Sequence, residues 1–187
     1  MVTIRRARPG DAPALGEVHV ACWRSAYAGV LPDSYLNSLS ATAETRGYER
    51  AIAERRGGHA AFVAVADNLE MPGGGVVGFI TGGLSRRPSI AEGEVETLYL
   101  MDDFHERGIG RRLMRAMASH LASLGAQSAF VWVLEPNPSR WFYERLGAKL
   151  VAREDMVFAH QRTTQLAYAW DPIHTLLTAT ATTKLPR

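Results

Sequence analysis

The chain has 187 residues, with 21 lysines and arginines, 19 aspartates and glutamates, and an apolar fraction of 47%. Such a composition is typical of a globular domain and excludes wholesale disorder. The formal net charge of +2 gives no general attraction to nucleic acid or to an anionic membrane, so we expect neither as a partner.

The single cysteine, Cys22, excludes an internal disulfide and a cysteine-based metal cluster, and the sequence contains no complete HExxH or HxH pattern. We therefore expect no metal cofactor. The first residues lack the apolar core of a signal peptide, and the longest apolar runs are too short to span a bilayer. The expectation is a cytoplasmic protein.

Hydrophobic periodicity and turn residues predict the secondary structure in chain order. The predicted elements are strand 3–8, helix 11–29, helix 32–39, helix 41–56, strands 59–67 and 76–84 around an MPGGG turn, strand 94–101, helix 108–124, strand 129–134, helix 138–146, and strands 149–158 and 164–170. This order indicates an α/β fold with a mixed sheet, in which strand 94–101, helix 108–124 and strand 129–134 form one parallel crossover.

After residue 171 the composition becomes rich in threonine and alanine and has no clear period. We expect one domain over residues 1–171 and a flexible tail over 172–187.

The most informative segment reads EVETLYLMDDFHERGIGRRLMR. In it a predicted strand enters a polar loop, and a GIG triplet opens an amphipathic helix. Gly108 and Gly110 allow a phosphate to approach the main chain, and the first N–H groups of the helix point toward it. Arg107, Arg111 and Arg112 add positive charge. The pattern predicts an anion site, although a tight turn would also require these glycines.

Two other phosphate-binding loops do not fit this segment. A Walker loop requires GxxxxGKS or GxxxxGKT, and the sequence contains neither. The dinucleotide fingerprint requires a third glycine after GxG, but residues 111–116 contain none.

Two parts of the chain resemble the GNAT superfamily of N-acetyltransferases. The run His105-Glu106-Arg107-Gly108-Ile109-Gly110 matches the family pattern Q/R-x-x-G-x-G/A, with histidine at its first position. The preceding TLYL is similar to the end of the family's strand. The second part is the FYERLG run that follows Asn137, and the upstream WRSAYAGVLPDSYLNSLS is similar to the substrate-side helices of a bacterial branch.

The resemblance implies a central, mostly antiparallel sheet of about six to seven strands flanked by helices, with the β-α-β crossover at the cofactor site. It implies acetyl transfer from acetyl-CoA to a primary amine of a small molecule or peptide N-terminus, by direct attack in a ternary complex, on a monomer or homodimer. A non-catalytic acyl-CoA-binding or sensing module is the alternative. The implied cofactor-binding residues are Leu98, Tyr99, Leu100, His105, Glu106, Arg107, Gly108, Ile109, Gly110, Arg111, Asn137 and Tyr143.

In family members, the strand before the loop diverges from the next strand along the chain. The pantetheine arm of the cofactor enters the gap between these two strands and pairs with their main chain. The family's tyrosine at the position of Tyr143 faces the thioester sulfur, and a phenol with a pKa near ~10 can donate to a thiolate. A main-chain N–H within 98–100 is implied to hold the oxyanion. The alternatives are core packing for Tyr143 and helix capping for Asn137.

Glu92, Glu94 and Glu96 alternate along one strand and therefore share a face, which we expect also to carry Leu98 and Leu100. Mutual repulsion is expected to raise the pKa of at least one carboxylate. Glu94 is the first candidate for the base that deprotonates the amine, and Glu96 is the second. A solvated acidic face with a water relay is the alternative.

Trp23 and Tyr27 lie four residues apart on the first predicted helix and share a face. In the resembling family this helix forms a wall of the acceptor pocket, which makes both residues candidates for substrate binding. Packing in the core is the alternative.

Overall fold

The computed structural model describes residues 1–67 and 75–181. The strands in this part are β1 (Val2–Arg6), β2 (Ala60–Ala66), β3 (Val76–Leu84), β4 (Gly93–Leu100), β5 (Ala129–Leu134), β6 (Lys149–Phe158) and β7 (Gln161–Trp170). The α-helices are α1 (Ala12–Ala26), α2 (Asp33–Ser38), α3 (Ala41–Glu54), α4 (Ile109–Ser123), α5 (Arg140–Arg145) and α6 (His174–Ala179).

The strands form a seven-stranded sheet in the order β1-β2-β3-β4-β5-β7-β6. Neighbouring strands are antiparallel except for β4 and β5, which are parallel and are joined through α4. Helices α1 and α3 pack on one face of the sheet, and α4 packs on the other. This arrangement confirms the predicted fold class, including the single parallel crossover.

Helix α4 is held against the sheet by an apolar stripe at helical spacing. Ile109, Leu113, Met117 and Leu121 are all buried, and they join the largest core cluster together with residues of β3, β4 and β5. The helix begins after Gly108, whose φ of 72° is in the left-handed region that glycine adopts without strain. The packing therefore fixes the N-terminus of α4 close to the end of β4.

A β-bulge interrupts the alternation along β4. Thr81 pairs with Thr97, but its neighbour Gly82 pairs with Val95, so Glu96 is the extra residue. Leu98 and Leu100 consequently pack with the α4 side of the core. The expectation that they share a face with Glu94 and Glu96 is wrong, because a strict period of two does not continue through a bulge.

The segment after residue 171 is ordered against the domain as far as residue 181. Leu176 in α6 is fully buried, and Ile173 and Thr180 are nearly so. The expectation of a flexible tail is wrong for 172–181, and residues 182–187 lie outside the described part. The predicted MPGGG turn also lies outside it, except for Gly75. Among the described helices, none is both long enough and apolar enough to cross a membrane.

Candidate active site

Strands β4 and β5 separate soon after they meet. Their parallel pairing joins Gly93–Val95 to residues 129–131, and within the described residues the rest of β4 and β5 is not paired across this boundary. Met101 N–H donates to the Val77 carbonyl of β3. Because N–H directions alternate along a strand, the N–H groups of Leu98 and Leu100 point away from β3 and toward this gap.

The mouth of the gap is formed by the loop that enters α4. Glu106 has a φ of 59°, which is strained for a non-glycine residue, and Gly108 follows in the same left-handed region. The first intrahelical bond runs from Arg112 N–H to the Gly108 carbonyl at 3.1 Å. The amides of residues 109–111 precede that bond and lie at the positive end of the helix dipole. No atom lies within 4 Å of a Cβ placed on Gly108, so this cradle has room for a bulky anion.

The side chains around this loop have different roles from those expected. His105 Nε2 lies 2.9 Å from the Leu100 carbonyl oxygen, so the imidazole closes the end of β4. Arg111 donates to the carbonyls of Ala179 (2.9 Å) and Ala181 (2.6 Å), which ties α4 to α6. Arg107 is exposed and lies 5.2 Å from the centre of the Phe104 ring.

Five polar aromatic and amide side chains meet beside the gap. Trp23 Nε1 donates to Tyr99 Oη at 2.8 Å, and Asn137 Nδ2 donates to Tyr27 Oη at 2.7 Å. Asn137 Oδ1 also accepts from the Ser139 N–H, so the residue holds the turn before α5 as well. Tyr143 is buried with the core that contains Val133 of β5. Segments that are far apart in sequence thus converge here.

The phenols of this cluster remain protonated at neutral pH. Burial raises the pKa of Tyr143, and the Tyr27 phenol raises it further. Burial also raises the pKa of Tyr99 and of Tyr27, against hydrogen bonds from Trp23 and Asn137 respectively. Each hydroxyl can therefore donate a hydrogen bond without first acquiring a proton.

The acidic residues of β4 occupy separate environments. Glu94 is buried, and Arg86 holds its carboxylate through Nη2 at 2.8 Å, Nε at 3.3 Å and the main-chain N–H at 3.4 Å. Glu96 Oε2 lies 3.0 Å from His59 Nε2. Glu92 precedes β4, and its carboxylate accepts from the Gln127 N–H at 2.7 Å.

The predicted rise in pKa through repulsion is wrong for Glu96. Burial acts to raise the pKa of Glu96, but the hydrogen bond from His59, the charges of His59 and Arg86, and a hydrogen bond from Thr81 together lower it. Each acidic side chain has its own partner, which removes the mutual repulsion on which that expectation depended.

An open pocket of about 360 Å³ lies beside Glu96 on the α3 side of the sheet. Its lining combines the end of α3, the residues just before β2, the end of β3 with the loop after it, and Glu96 of β4. The lining residues are Ala51, Glu54, Arg56, Gly57, His59, Gly83, Leu84, Arg86 and Glu96. One of its lining residues, Glu96, directly follows Val95, the last residue of β4 that pairs with β5.

Sequence reasoning missed two partners in this region. His59 had no signal, because it lies alone at the start of a strand and 37 residues from Glu96. Arg86 lies between two predicted strands, where a solvated side chain is the ordinary outcome. Its spacing of eight residues from Glu94 across the turn between β3 and β4 was the available signal.

Comparison with known proteins agrees with this architecture. Residues 77–158 match the family described as FR47-like protein. The PaiA N-acetyltransferase of Thermoplasma acidophilum, solved with coenzyme A, superposes with a TM-score of 0.72 at 20% identity, covering 91% of this chain and 99% of that one. The fold is that of the GNAT acetyltransferases.

Two curated relatives extend the match in sequence. The uncharacterized N-acetyltransferase YuaI of Bacillus subtilis is 32% identical over 180 residues, which cover 95% of this chain and 98% of the relative. A probable N-acetyltransferase of Mycobacterium tuberculosis is 29% identical over 152 residues, 77% of this chain and 78% of the relative. The chain belongs to the GNAT family of N-acetyltransferases.

Proposed function

We propose that this protein transfers an acetyl group from acetyl-CoA to a primary amine of a small molecule or a peptide N-terminus, by direct attack within a ternary complex. The observation that carries the proposal is the gap between β4 and β5, which has an anion cradle at its mouth and a buried, protonated phenol beside it. Bound acetyl-CoA supplies the thioester and its acetyl group. The coenzyme A in the PaiA structure supports this choice.

The cradle suits the pyrophosphate of the cofactor. Open space at Gly108 and the free amides of residues 109–111 meet the requirements of a doubly charged group. Arg107 is the exposed guanidinium of the loop and adds charge there, while Arg111 contributes through its main-chain N–H. The main chain of Leu98–Leu100 and the amide of Asn137 remain our candidates for holding the pantetheine arm.

Two groups are suited to the charges that develop during acyl transfer. The Leu98 N–H points toward the gap and is our candidate for stabilising the oxyanion. The Leu100 N–H points toward the same gap and is a second candidate. The Tyr143 hydroxyl is kept protonated by burial and is our candidate donor to the departing thiolate.

Glu96 is a better candidate for the base than Glu94. The Glu94 carboxylate is buried and receives three N–H groups of Arg86, so it has little capacity left for a proton from the substrate. Glu96 borders the open pocket and follows Val95, the last residue of β4 that pairs with β5. Trp23 and Tyr27 remain candidates for the acceptor wall on the other side of the cluster.

A panel of primary amines and peptides, assayed for release of free thiol from acetyl-CoA, tests the proposal. We expect saturable release that depends on one class of amine, with an acetylated product confirmed by mass spectrometry. Acetyl-CoA binding by calorimetry without turnover on any amine would favour a binding module and contradict the proposal. Initial rates at varied concentrations of both substrates should give intersecting lines, whereas parallel lines would indicate an acyl-enzyme.

A further inference from the structure

The contact between His59 and Glu96 has no role in the functions described so far. His59 lies at the start of the chain segment that becomes β2, and its side chain is 12% exposed. Its Nε2 is 3.0 Å from Glu96 Oε2, and both residues line the 360 Å³ pocket. One imidazole thus bridges the wall of the pocket and the bulge of β4.

The environment of the ring fixes where its proton lies. His59 Nδ1 is buried and has no hydrogen-bond partner within the described residues. Burying an N–H group that has no acceptor costs more free energy than burying a nitrogen lone pair that has no donor. We therefore place no hydrogen on Nδ1. The neutral ring then carries its hydrogen on Nε2 and donates it to the Glu96 carboxylate.

We propose that His59 is a positioning residue for acetyl transfer, which fixes the Glu96 carboxylate in the pocket wall so that Glu96 receives the proton of the acceptor amine. The inference rests on the proposed function, because it assumes that the amine attacks from the pocket side of β4. It also assigns the pocket as the route by which the acceptor and its proton exchange with solvent.

The proton balance of the step is simple. One N–H bond of the acceptor ammonium breaks, an O–H bond forms on Glu96, and the neutral amine keeps the electron pair with which it attacks. Water in the pocket then takes the proton from Glu96 to solvent. His59 cannot relay it, because Nε2 already carries a hydrogen and Nδ1 has no partner to which a proton could pass.

Within the described residues, no lysine or arginine side chain is bound to the Glu96 carboxylate, although Arg86 and a protonated His59 act on it through their charge. Arg86 is bound to Glu94, and Arg56 lies 3.0 Å from Glu54. Thr81 of β3 acts to lower the pKa of Glu96, and the pKa of the Tyr48 phenol on α3 is raised first by burial and further by nearby groups that include Glu96. A cationic ammonium entering the pocket therefore meets Glu96 as its natural counter-ion.

The test compares His59→Leu with His59→Gln in the full chain. Glutamine can place an N–H near the position of Nε2, whereas leucine cannot donate. Titration of Glu96 is followed by the ¹³C signal of its carboxyl carbon, assigned through Glu96→Gln, and turnover is measured on the best acceptor. We expect His59→Leu to raise the pKa of Glu96 and to lower kcat about 10- to 100-fold with an unchanged KM for acetyl-CoA. His59→Gln should retain most of both properties.

Glu49→Gln is the matched control, because it removes one exposed negative charge from α3 outside the lining of the pocket. It should leave the Glu96 titration and kcat nearly unchanged. An unaltered Glu96 titration in His59→Leu, or equal losses of kcat in the leucine and glutamine variants, would overturn the proposal. If His59→Leu does not fold, His59→Phe takes its place and the same comparison decides. The carboxyl titration needs no turnover, so absence of acetyl transfer in the wild type would count against the proposed function and not against this contact.

Discussion

The two ends of β4 present different kinds of site. At its C-terminal end, residues 105–111 form the cradle from one continuous stretch of chain, and its main contribution is main-chain N–H groups. At its N-terminal half, the pocket around Glu96 is built from residues of α3, the segment before β2, the end of β3 with the loop after it, and β4. A main-chain site depends on glycines and a helix start, which a short pattern can reveal. A side-chain site depends on distant segments meeting correctly.

The same difference decides which substitutions each region tolerates. In the cradle, histidine stands at the first position of the pattern, and its ring contacts the Leu100 carbonyl oxygen. In the pocket, Arg86 and Glu96 each contact a partner from another segment of the chain, Glu94 and His59 respectively. Changes there should alter charge and proton transfer before they alter cofactor binding.

Tyr143 is the candidate donor to the departing thiolate, and its removal should have the largest effect on rate. Tyr143→Phe keeps the buried ring but removes the donor for the thiolate, so kcat should fall ~10²–10⁴-fold. Acetyl-CoA affinity, measured by calorimetry, should change little because the cradle is intact. Wild-type turnover in this variant would remove Tyr143 from the chemistry and leave it a packing residue.

The cradle can be tested with two glycines of similar geometry. Gly108 and Gly125 flank α4 with φ of 72° and 91°, and a Cβ on either meets no atom within 4 Å. Alanine should therefore cost both sites similar backbone strain. Gly108→Ala should weaken acetyl-CoA binding roughly 10- to 100-fold by disturbing one or two charge-assisted hydrogen bonds.

Gly125→Ala should leave that affinity unchanged, since it lies at the far end of the helix. Equal affinities of the two variants in calorimetry would show that the Gly108 conformation does not serve the anion site.

The fold and the cradle could be predicted from sequence because their signals are local. The stripe of α4 and the apolar run of β5 indicate buried elements, and the glycine pattern marks the helix start. The bulge at Glu96 could not be predicted, since no residue pattern within β4 distinguishes it from a regular strand. It reversed the expected faces of Leu98 and Leu100.

Helix α6 was missed for a different reason. It has six residues within a threonine- and alanine-rich stretch, which is too short for a helical period to be visible. Its stability comes from tertiary contacts, namely burial of Leu176 and the bonds from Arg111 and Arg115 to its carbonyls. Such contacts appear only once α4 is placed beside it.

The pair formed by Arg86 and Glu94 should affect stability more than chemistry. Arg86→Gln leaves the buried Glu94 carboxylate without its cation, which should lower the free energy of unfolding by about 1–3 kcal/mol. The double variant Arg86→Gln with Glu94→Gln removes both charges and should recover most of that loss in urea unfolding. Equal destabilisation in the single and double variants would mean that the pair is not coupled.

The smallest expected effect is the pH dependence that Glu96 gives to stability. The contacts around it lower its pKa in the folded protein, so Glu96 stabilises the fold above the unfolded pKa of about 4.3. That contribution is lost as the pH falls through the lower folded value. Because its side chain is 30% exposed, the effect should stay below ~1 kcal/mol.

The free energies of urea unfolding of the wild type and Glu96→Gln should differ most near neutral pH and converge below about pH 4. The exposed Glu17→Gln is the control for one lost charge. If the difference in unfolding free energy between the wild type and Glu96→Gln instead grew as the pH fell, burial of the charged carboxylate would outweigh the bond from His59. The pKa of Glu96 would then be raised, as the sequence predicted.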